Sequence, residues 1–190
     1  MKLTIPDLWI CAVPWKGCVL KMRGERQTDT YSCGYAAAVC VLKAAATAFD
    51  RTELWNSLKP CKTWGVQDSA LLKTLRRYKL KPQIVPFGEL TFERLAEVIW
   101  SGHPVVLAPR KHRQPKGERH WMVLSGVDTE NKKVLLLNHT AVPGFSQQWW
   151  DYARLKRELM RDDIYIMKGA EIPVLARQYP VSVNGPVRIS

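Results

Sequence analysis

The sequence lacks any apolar stretch long enough to cross a membrane, which takes about 20 consecutive apolar residues. It also has no internal repeat and no low-complexity segment. The N-terminal residues are not expected to form a signal peptide, because Pro6 and Asp7 interrupt any apolar core there. With 190 residues, of which 46% are hydrophobic, the chain is expected to fold as one ordinary globular domain.

Acidic residues are scarce relative to basic ones. The chain has 17 Asp and Glu against 29 Lys and Arg, which gives a formal net charge of +12. That charge favours acidic partners through electrostatic steering. The charge alone would also suit nucleic acid, but no zinc-finger, helix-turn-helix or RNA-binding signature accompanies it. The net charge therefore favours an acidic partner or an anionic surface, and nucleic acid is not expected but is not excluded by the charge.

The five cysteines show neither the spacing of a zinc ribbon nor a Cys-x-x-Cys redox pair. Cys33 and Cys40 lie two turns apart on one predicted helix and are poorly placed to form a disulfide with each other. An odd number of cysteines without a pairing pattern indicates a reducing compartment, so we expect a cytoplasmic protein. The other cysteines are Cys11, Cys18 and Cys61.

The pattern of apolar residues and turn signals predicts helices in the first half of the chain and strands in the second half. The predicted helices are 33–48, 52–58, 70–78, 92–100 and 148–160, and the predicted strands are 18–22, 81–87, 104–108, 121–127, 133–138 and 164–167. The predicted caps of the second, third and fourth helices are Asp50 or Thr52, Asp68 or Ser69, and Thr91. This order predicts an α+β fold in which an N-terminal helical half packs on a C-terminal antiparallel sheet. We expect one domain over residues 1–175 and a flexible tail over residues 176–190.

A candidate nucleophile stands where a polar segment meets a helix. Cys33 follows the polar run 27–32 and begins an alanine-rich helix. The positive end of a helix favours a thiolate over a thiol. Gln27, six residues earlier, could fold back so that its amide and the Cys33 N–H form an oxyanion hole. The alternative is that Cys33 is a small buried residue of the core.

A cysteine nucleophile needs a base, and His120 is the candidate among the four histidines because it starts a strongly apolar strand. A strand-start histidine could also be a purely structural residue. If the hairpin turn is centred near residue 129 or 130, Asn138 lies opposite or one diagonal step from His120 and can orient the ring. His139 then points to the other face, and a register slip of one residue would reverse that choice. The remaining histidines are His103 and His112.

These residues, taken together, resemble a papain-like cysteine peptidase. More narrowly, the chain resembles the double-glycine leader peptidases, the bacteriocin-processing, peptidase C39-like domains of bacterial exporters and their stand-alone relatives, over about residues 20–168. The motif residues that carry the resemblance are Gln27, Asp29, Cys33, Gly34, Ala36 and Ala37, then Gly65 before Leu71, Leu72 and Leu75, then 104–107, then 120–126, and finally Trp149 and Trp150 on a late helix.

The chain departs from the family pattern at two places. Asn138-His139 stands where the family usually has Asp-Pro, but asparagine has the same role in papain-like enzymes generally. Ser32 precedes the cysteine where the family often has Asp.

The resemblance implies thiol-dependent hydrolysis of peptide bonds in a peptide or protein substrate, an acidic one if the charge contributes to recognition, with no metal and no other cofactor. Cys33 would attack, His120 would transfer the proton, Asn138 would orient the ring and Gln27 would stabilise the oxyanion. The same triad could serve an acyltransferase or deamidase, as in phytochelatin-synthase-like relatives. A third possibility is a non-catalytic papain-like module that binds an acidic partner, with the basic loop 110–119 at the cleft rim or simply solvated.

Overall fold

The structure is a computed structural model that describes residues 16–109, 119–138, 146–159, 164–169, 172 and 174–177, apart from the side chains of residues 138, 146 and 174–177. Several expectations fall outside the described residues. They are the ones that concern Cys11, His112, His139, the basic loop before Arg119 and the tail from residue 178 onward.

Five α-helices lie in the described part of the chain, each close to a predicted position. They are α1 (Cys33–Ala44), α2 (Arg51–Leu58), α3 (Asp68–Arg77), α4 (Phe92–Trp100) and α5 (Tyr152–Leu159). Asp50 caps α2 by accepting the Glu53 N–H at 2.7 Å, and Thr91 caps α4 by accepting the Arg94 N–H at 3.1 Å. Both are among the caps that the sequence predicts.

Two predicted helix ends are wrong. The first helix stops at Ala44 rather than Ala48, because Ala46 adopts a left-handed φ of 50° and turns the chain out of the helix. The expected cap of α3 was Asp68 or Ser69, but Gln67 occupies the N-cap position. Asp68 is the first helical residue, and its carboxylate is bonded elsewhere.

Eight strands of the described part form one sheet in which every observed pairing is antiparallel. They are β1 (Gly17–Leu20), β2 (Lys81–Val85), β3 (Val105–Leu107), β4 (Met122–Asp128), β5 (Lys133–Asn138), β6 (Ser146–Asp151), β7 (Ile164–Lys168) and β8 (Val174–Arg177). The pairings run in the order β2-β7-β3-β4-β1-β8, in which β3 pairs with the first half of β4 and β1 with its last half. β5 also pairs with β4, along its whole length, and β6 pairs with β5. β8 reaches two residues into the predicted tail. The α+β class and the antiparallel sheet are confirmed.

Residues 148–151 form a strand rather than the start of a helix, so the predicted late helix begins only at Tyr152. The reason is pairing: β6 pairs along its whole length with β5, from Lys133 opposite Asp151 onward. Trp150 is 8% exposed, with the Arg154 guanidinium 3.9 Å from its ring centroid. Tryptophan suits a pleated, half-buried surface, and the tertiary pairing overrides the helical pattern.

A β-bulge in β4 decides the register of the β4–β5 hairpin. Gly126 is opposite Leu135, but Leu124 is opposite Leu136, so Ser125 is an extra residue in β4. The sheet is crowded here, since a Cβ on Gly126 would lie 3.1 Å from the backbone oxygen of Cys18. As a result Met122 pairs with Asn138, whereas unbroken pairing from the turn would have placed residue 139 there.

The core lies between the sheet and helices α1, α3 and α4. Nearly every residue of α1 from Cys33 to Leu42 is buried, which explains why its sequence is almost wholly apolar. Within the described ranges no helix combines the length and the apolarity that crossing a bilayer requires.

Candidate active site

Cys33 is the first residue of α1 and is only 5% exposed. The polar run before it forms a turn in which Asp29 Oδ1 accepts the N–H groups of Tyr31, at 2.8 Å, and Ser32, at 2.7 Å. Ser32 sits at the N-cap position, yet its hydroxyl makes no cap bond to the described residues of the helix. The helix therefore places its positive end at Cys33, which favours a negative charge there.

Gln27 is a buried polar residue, 4% exposed, in the same segment. Its Nε2 donates to the backbone oxygen of Asp29, so the side chain folds back along the turn. An amide nitrogen carries two N–H groups, and this bond uses one of them. The Oε1 atom has no hydrogen-bond partner among the described residues. A second N–H is therefore available on a side chain whose position is already fixed.

His120 is 5% exposed and lies two residues before Met122, the first residue of β4. The strand starts one residue later than the sequence predicts, so His120 lies in the approach to it. Its backbone N–H donates to the Pro109 carbonyl at 3.0 Å. That bond holds the backbone of His120 next to the residues that follow β3.

The segments that carry Cys33 and His120 meet through their next residues, Gly34 and Trp121. A Cβ on Gly34 would lie 2.8 Å from Trp121 Cδ1 and 2.6 Å from the Cβ of Val66. The indole Nε1 of Trp121 also donates to the Val66 carbonyl at 2.9 Å. The structure thus brings the start of α1 and the approach to β4 into direct contact, with Cys33 and His120 next to that contact in the chain.

The backbone of Asn138 is at the position that the sequence predicts for an orienting residue. It is opposite Met122, which puts it one diagonal step from His120 on the neighbouring strand. Its side chain and the whole of His139 lie outside the described residues.

Asp128, an acidic residue of the same hairpin, is an alternative candidate for orienting His120, but it has a different role. Its carboxylate accepts the Glu130 and Asn131 backbone N–H groups at 3.0 and 3.1 Å, so it closes the β4–β5 turn. It stands at the far end of β4, eight residues beyond His120, or about 26 Å along an extended strand. Asp128 is therefore not the residue that orients His120.

A group of side chains beside the histidine could not be predicted from the sequence. Asp68 Oδ2 accepts the Tyr165 hydroxyl at 2.5 Å and an Arg119 N–H at 3.5 Å. No local pattern could have revealed this, since Tyr165 is separated from Asp68 by 97 residues. The sequence signal is an acidic residue in the first turn of α3, and such a residue predicts a helix cap.

The other described thiols differ from Cys33 in their surroundings. Burial raises the pKa of the Cys40 thiol to about 12, so it stays protonated at neutral pH. Cys18 is also buried, and its sulfur contacts the Ile99 carbonyl at 3.7 Å. Cys61 is accessible, and hydrogen bonds from the backbone and side chain of Thr63 lower its pKa. Among the described thiols, Cys61 is therefore the one that competes with Cys33 for an alkylating reagent.

Two further features bear on other functions. A groove of about 740 Å³ between α2 and α3 carries Lys59, Lys73, Arg77 and Glu53, but neither Cys33 nor His120 lines it. No group of His, Cys, Asp and Glu in the described ranges is arranged to hold a metal ion.

The sequence matches the Peptidase_C39 like family over residues 19–169. Curated proteins give no match.

Three solved structures share the fold. The peptidase domain of Streptococcus ComA, a bi-functional ABC transporter involved in a quorum sensing pathway, is 16% identical, with a TM-score of 0.57 over 76% of this chain and 97% of that one. A double glycine motif protease from an AMS/PCAT transporter, solved with its leader peptide, is 15% identical, with a TM-score of 0.57 over 78% and 94%. A Bacillus anthracis protein described as C39-like is 14% identical, with a TM-score of 0.61 over 79% and 96%.

These identities are low, so the solved structures show only that the fold is shared. The family match, by contrast, spans most of the sequence and shows the family. The resemblance to C39 peptidases that the motif residues suggest is thereby confirmed. This chain belongs to the Peptidase_C39 like family.

Proposed function

We propose that this protein is a cysteine peptidase that hydrolyses peptide bonds through Cys33, His120 and Asn138, with Gln27 in the oxyanion hole. The observation that carries the proposal is the contact of Gly34 with Trp121, which joins the start of α1 to the approach to β4. A thiol at a helix N-terminus and a histidine fixed by a strand are the two parts that thiol catalysis needs. Membership of a peptidase-like family supports the same reading.

The proposed reaction begins when the Cys33 thiolate attacks the carbonyl carbon and forms a C–S bond. The C–N bond then breaks as the His120 imidazolium gives its proton to the leaving amine. Water attacks the resulting thioester, His120 takes a proton from that water, and the new acid leaves as the thiolate is restored. Every proton and bond is thus accounted for by two side chains and one water molecule.

The oxyanion that forms on the carbonyl would be stabilised by the Cys33 N–H and by the Gln27 amide. Support comes from the buried position of Gln27 and from its fixed Nε2, which donates to the Asp29 carbonyl and keeps a second N–H. A donor that is already fixed does not need to reorganise during the reaction. Losing one such donor lowers kcat by about 10² to 10³.

Asn138 is proposed to hold the His120 ring by accepting or donating a hydrogen bond at the nitrogen that does not face the thiol. The support is the backbone register, in which Met122 is opposite Asn138. The bulge at Ser125 matters here, because regular pairing would have exchanged the faces of residues 138 and 139.

The substrate class is proposed to be a peptide or an extended protein segment. One structural neighbour was solved with a leader peptide, which is a property of that protein. For this chain the net charge of +12 favours acidic segments through steering. A cytoplasmic location and a single domain over residues 1–175 stay predictions from the sequence.

Peptide cleavage tests the proposal directly. The wild type is incubated with a proteome-derived peptide library in H₂¹⁸O, and new termini are identified by mass spectrometry. We expect cleavage with ¹⁸O in the new carboxylates, no cleavage by Cys33→Ser, and normal cleavage by the Cys61→Ser control.

Other results would redirect the proposal. Transfer to an added amine without ¹⁸O would indicate an acyltransferase, and side-chain amide loss would indicate a deamidase. Binding of acidic peptides without any reaction would contradict the enzymatic proposal and favour the binding module.

A further inference from the structure

Both chain neighbours of His120 are held by side chains that the proposed triad does not contain. We call Asp68, Arg119, Trp121 and Tyr165 the Asp68 cluster. Asp68 Oδ2 accepts the Tyr165 hydroxyl at 2.5 Å and the Arg119 guanidinium at 3.5 Å. The Arg119 guanidinium carbon lies 6.0 Å from the centroid of the Trp121 ring. The ring centroids of Trp121 and Tyr165 are 5.9 Å apart.

The cluster joins three elements that are distant in the sequence. Asp68 begins α3, Tyr165 is in β7, and Arg119 and Trp121 stand on either side of His120 just before β4. Tyr165 and Trp121 are 5% and 4% exposed, so neither ring can move without displacing its neighbours. A buried phenol also needs a hydrogen-bond acceptor, and a carboxylate is a strong one.

The effect of the cluster falls on the segment of residues 119–121. Asp68 holds Arg119 on one side of His120, while the Tyr165 ring packs on Trp121 on the other. The backbone N–H of His120 donates to the Pro109 carbonyl, as described above. Trp121 in turn contacts Gly34, the residue after Cys33. The distance between thiol and imidazole therefore depends on where the cluster holds Trp121 and Arg119.

We propose that Asp68 and Tyr165 are positioning residues for the candidate base: their hydrogen bond fixes the segment 119–121 and so sets the His120 ring against the Cys33 thiol. The inference rests on the proposed function, since it assigns these residues to the same site. A displacement of about 1 Å at a reacting group lowers the rate by as much as a hundredfold. Loosening one hydrogen bond of the cluster should cause part of that loss.

Tyr165→Phe is the sharpest test because it removes only the hydroxyl. Tyr152→Phe is a matched control: its hydroxyl also donates a hydrogen bond, to the Leu90 carbonyl at 2.6 Å, away from the Asp68 cluster. For a peptide that the wild type cleaves, we expect Tyr165→Phe to lower kcat about tenfold at unchanged KM. Tyr152→Phe should leave both constants as they are. Asp68→Asn keeps an acceptor for the hydroxyl and should lose less than Asp68→Ala.

A second measurement needs no peptide substrate. The rate of iodoacetamide alkylation at Cys33 is compared in the wild type, His120→Ala, Tyr165→Phe and Asp68→Asn. We expect His120→Ala to lower the rate of alkylation at Cys33. The variants Tyr165→Phe and Asp68→Asn should lower the same rate by a smaller amount. If Tyr165→Phe does not fold, Asp68→Ala takes its place, because it removes the acceptor of the Tyr165 hydroxyl altogether.

The outcomes separate the two claims. The inference is overturned if the Tyr165 and Asp68 variants keep the wild-type kcat and alkylation rate and lose only as much Tm as Tyr152→Phe. Such a result would show that the cluster is merely structural. A wild type that cleaves no peptide but shows the expected alkylation rates would contradict the peptidase function and keep the positioning role. Alkylation of Cys33 that does not depend on His120 would overturn both.

Discussion

Replacing Gly34 by alanine tests the contact on which the site is built. The added methyl carbon would lie 2.6 Å from Val66 Cβ and 2.8 Å from Trp121 Cδ1. Carbon atoms pack best at about 3.5 to 4.0 Å, so the two segments must separate by about 1 Å. Gly34 follows Cys33 and Trp121 follows His120, so that separation should appear between the nucleophile and the base.

The expected effects on stability and on rate differ in size. Overpacking a tight site costs about 1 to 3 kcal/mol, whereas alanine in a helix is favoured over glycine by about 1 kcal/mol. The free energy of unfolding should therefore fall by no more than about 2 kcal/mol, which most domains tolerate. A misplacement of about 1 Å, by contrast, should lower kcat about a hundredfold.

The assay compares kcat on a cleaved peptide with the free energy of unfolding from urea titration. Gly88→Ala is the matched control, because a Cβ on Gly88 would meet nothing within 4 Å. It should leave kcat unchanged. A Gly34→Ala variant that folds normally and keeps kcat within about threefold of the wild type would refute this prediction. A separation of about 1 Å at the site should lower kcat much further.

The remaining predictions concern single side chains. Gln27→Ala should lower kcat about a hundredfold with little change in KM, and an unchanged kcat would remove it from the oxyanion hole. Asn138→Ala should slow turnover without unfolding, as checked by circular dichroism. Asn138→Asp should stay active and move the alkaline limb of the pH–rate profile to higher pH, because a carboxylate favours the His120 imidazolium. Cys40, whose pKa is raised to about 12 by burial, should resist iodoacetamide at pH 8, whereas Cys61 should react.

Much of the fold could be predicted because its signals are local. The small apolar residues after Cys33 predict a buried helix, and the run 133–138 predicts a strand that the structure has with the same bounds. Thr91 was recognised as a cap from a hydroxyl before a periodic segment. The strand β6 was missed because Trp149 and Trp150 fit a helical pattern, and only pairing with β5 makes them a strand.

Only part of the candidate site could be predicted from the sequence. Cys33 and His120 carry local signals, a helix start and a strand start. The choice between residues 138 and 139 depends on the bulge at Ser125, which is a backbone feature without a sequence signature of its own. The hydrogen bond of Asp68 to Tyr165 joins residues 97 apart and needs the folded sheet.

The pH dependence of alkylation at Cys33 tests the central claim most directly. Iodoacetamide is reacted at pH 5 to 9 with the wild type and with His120→Ala, and each thiol is quantified by peptide mapping. If Cys33 and His120 form a thiolate–imidazolium pair, Cys33 should react at pH 6 at least about tenfold faster than Cys61, and His120→Ala should abolish that advantage. Equal rates in both proteins, or Cys61 as the faster thiol at pH 6, would contradict the account.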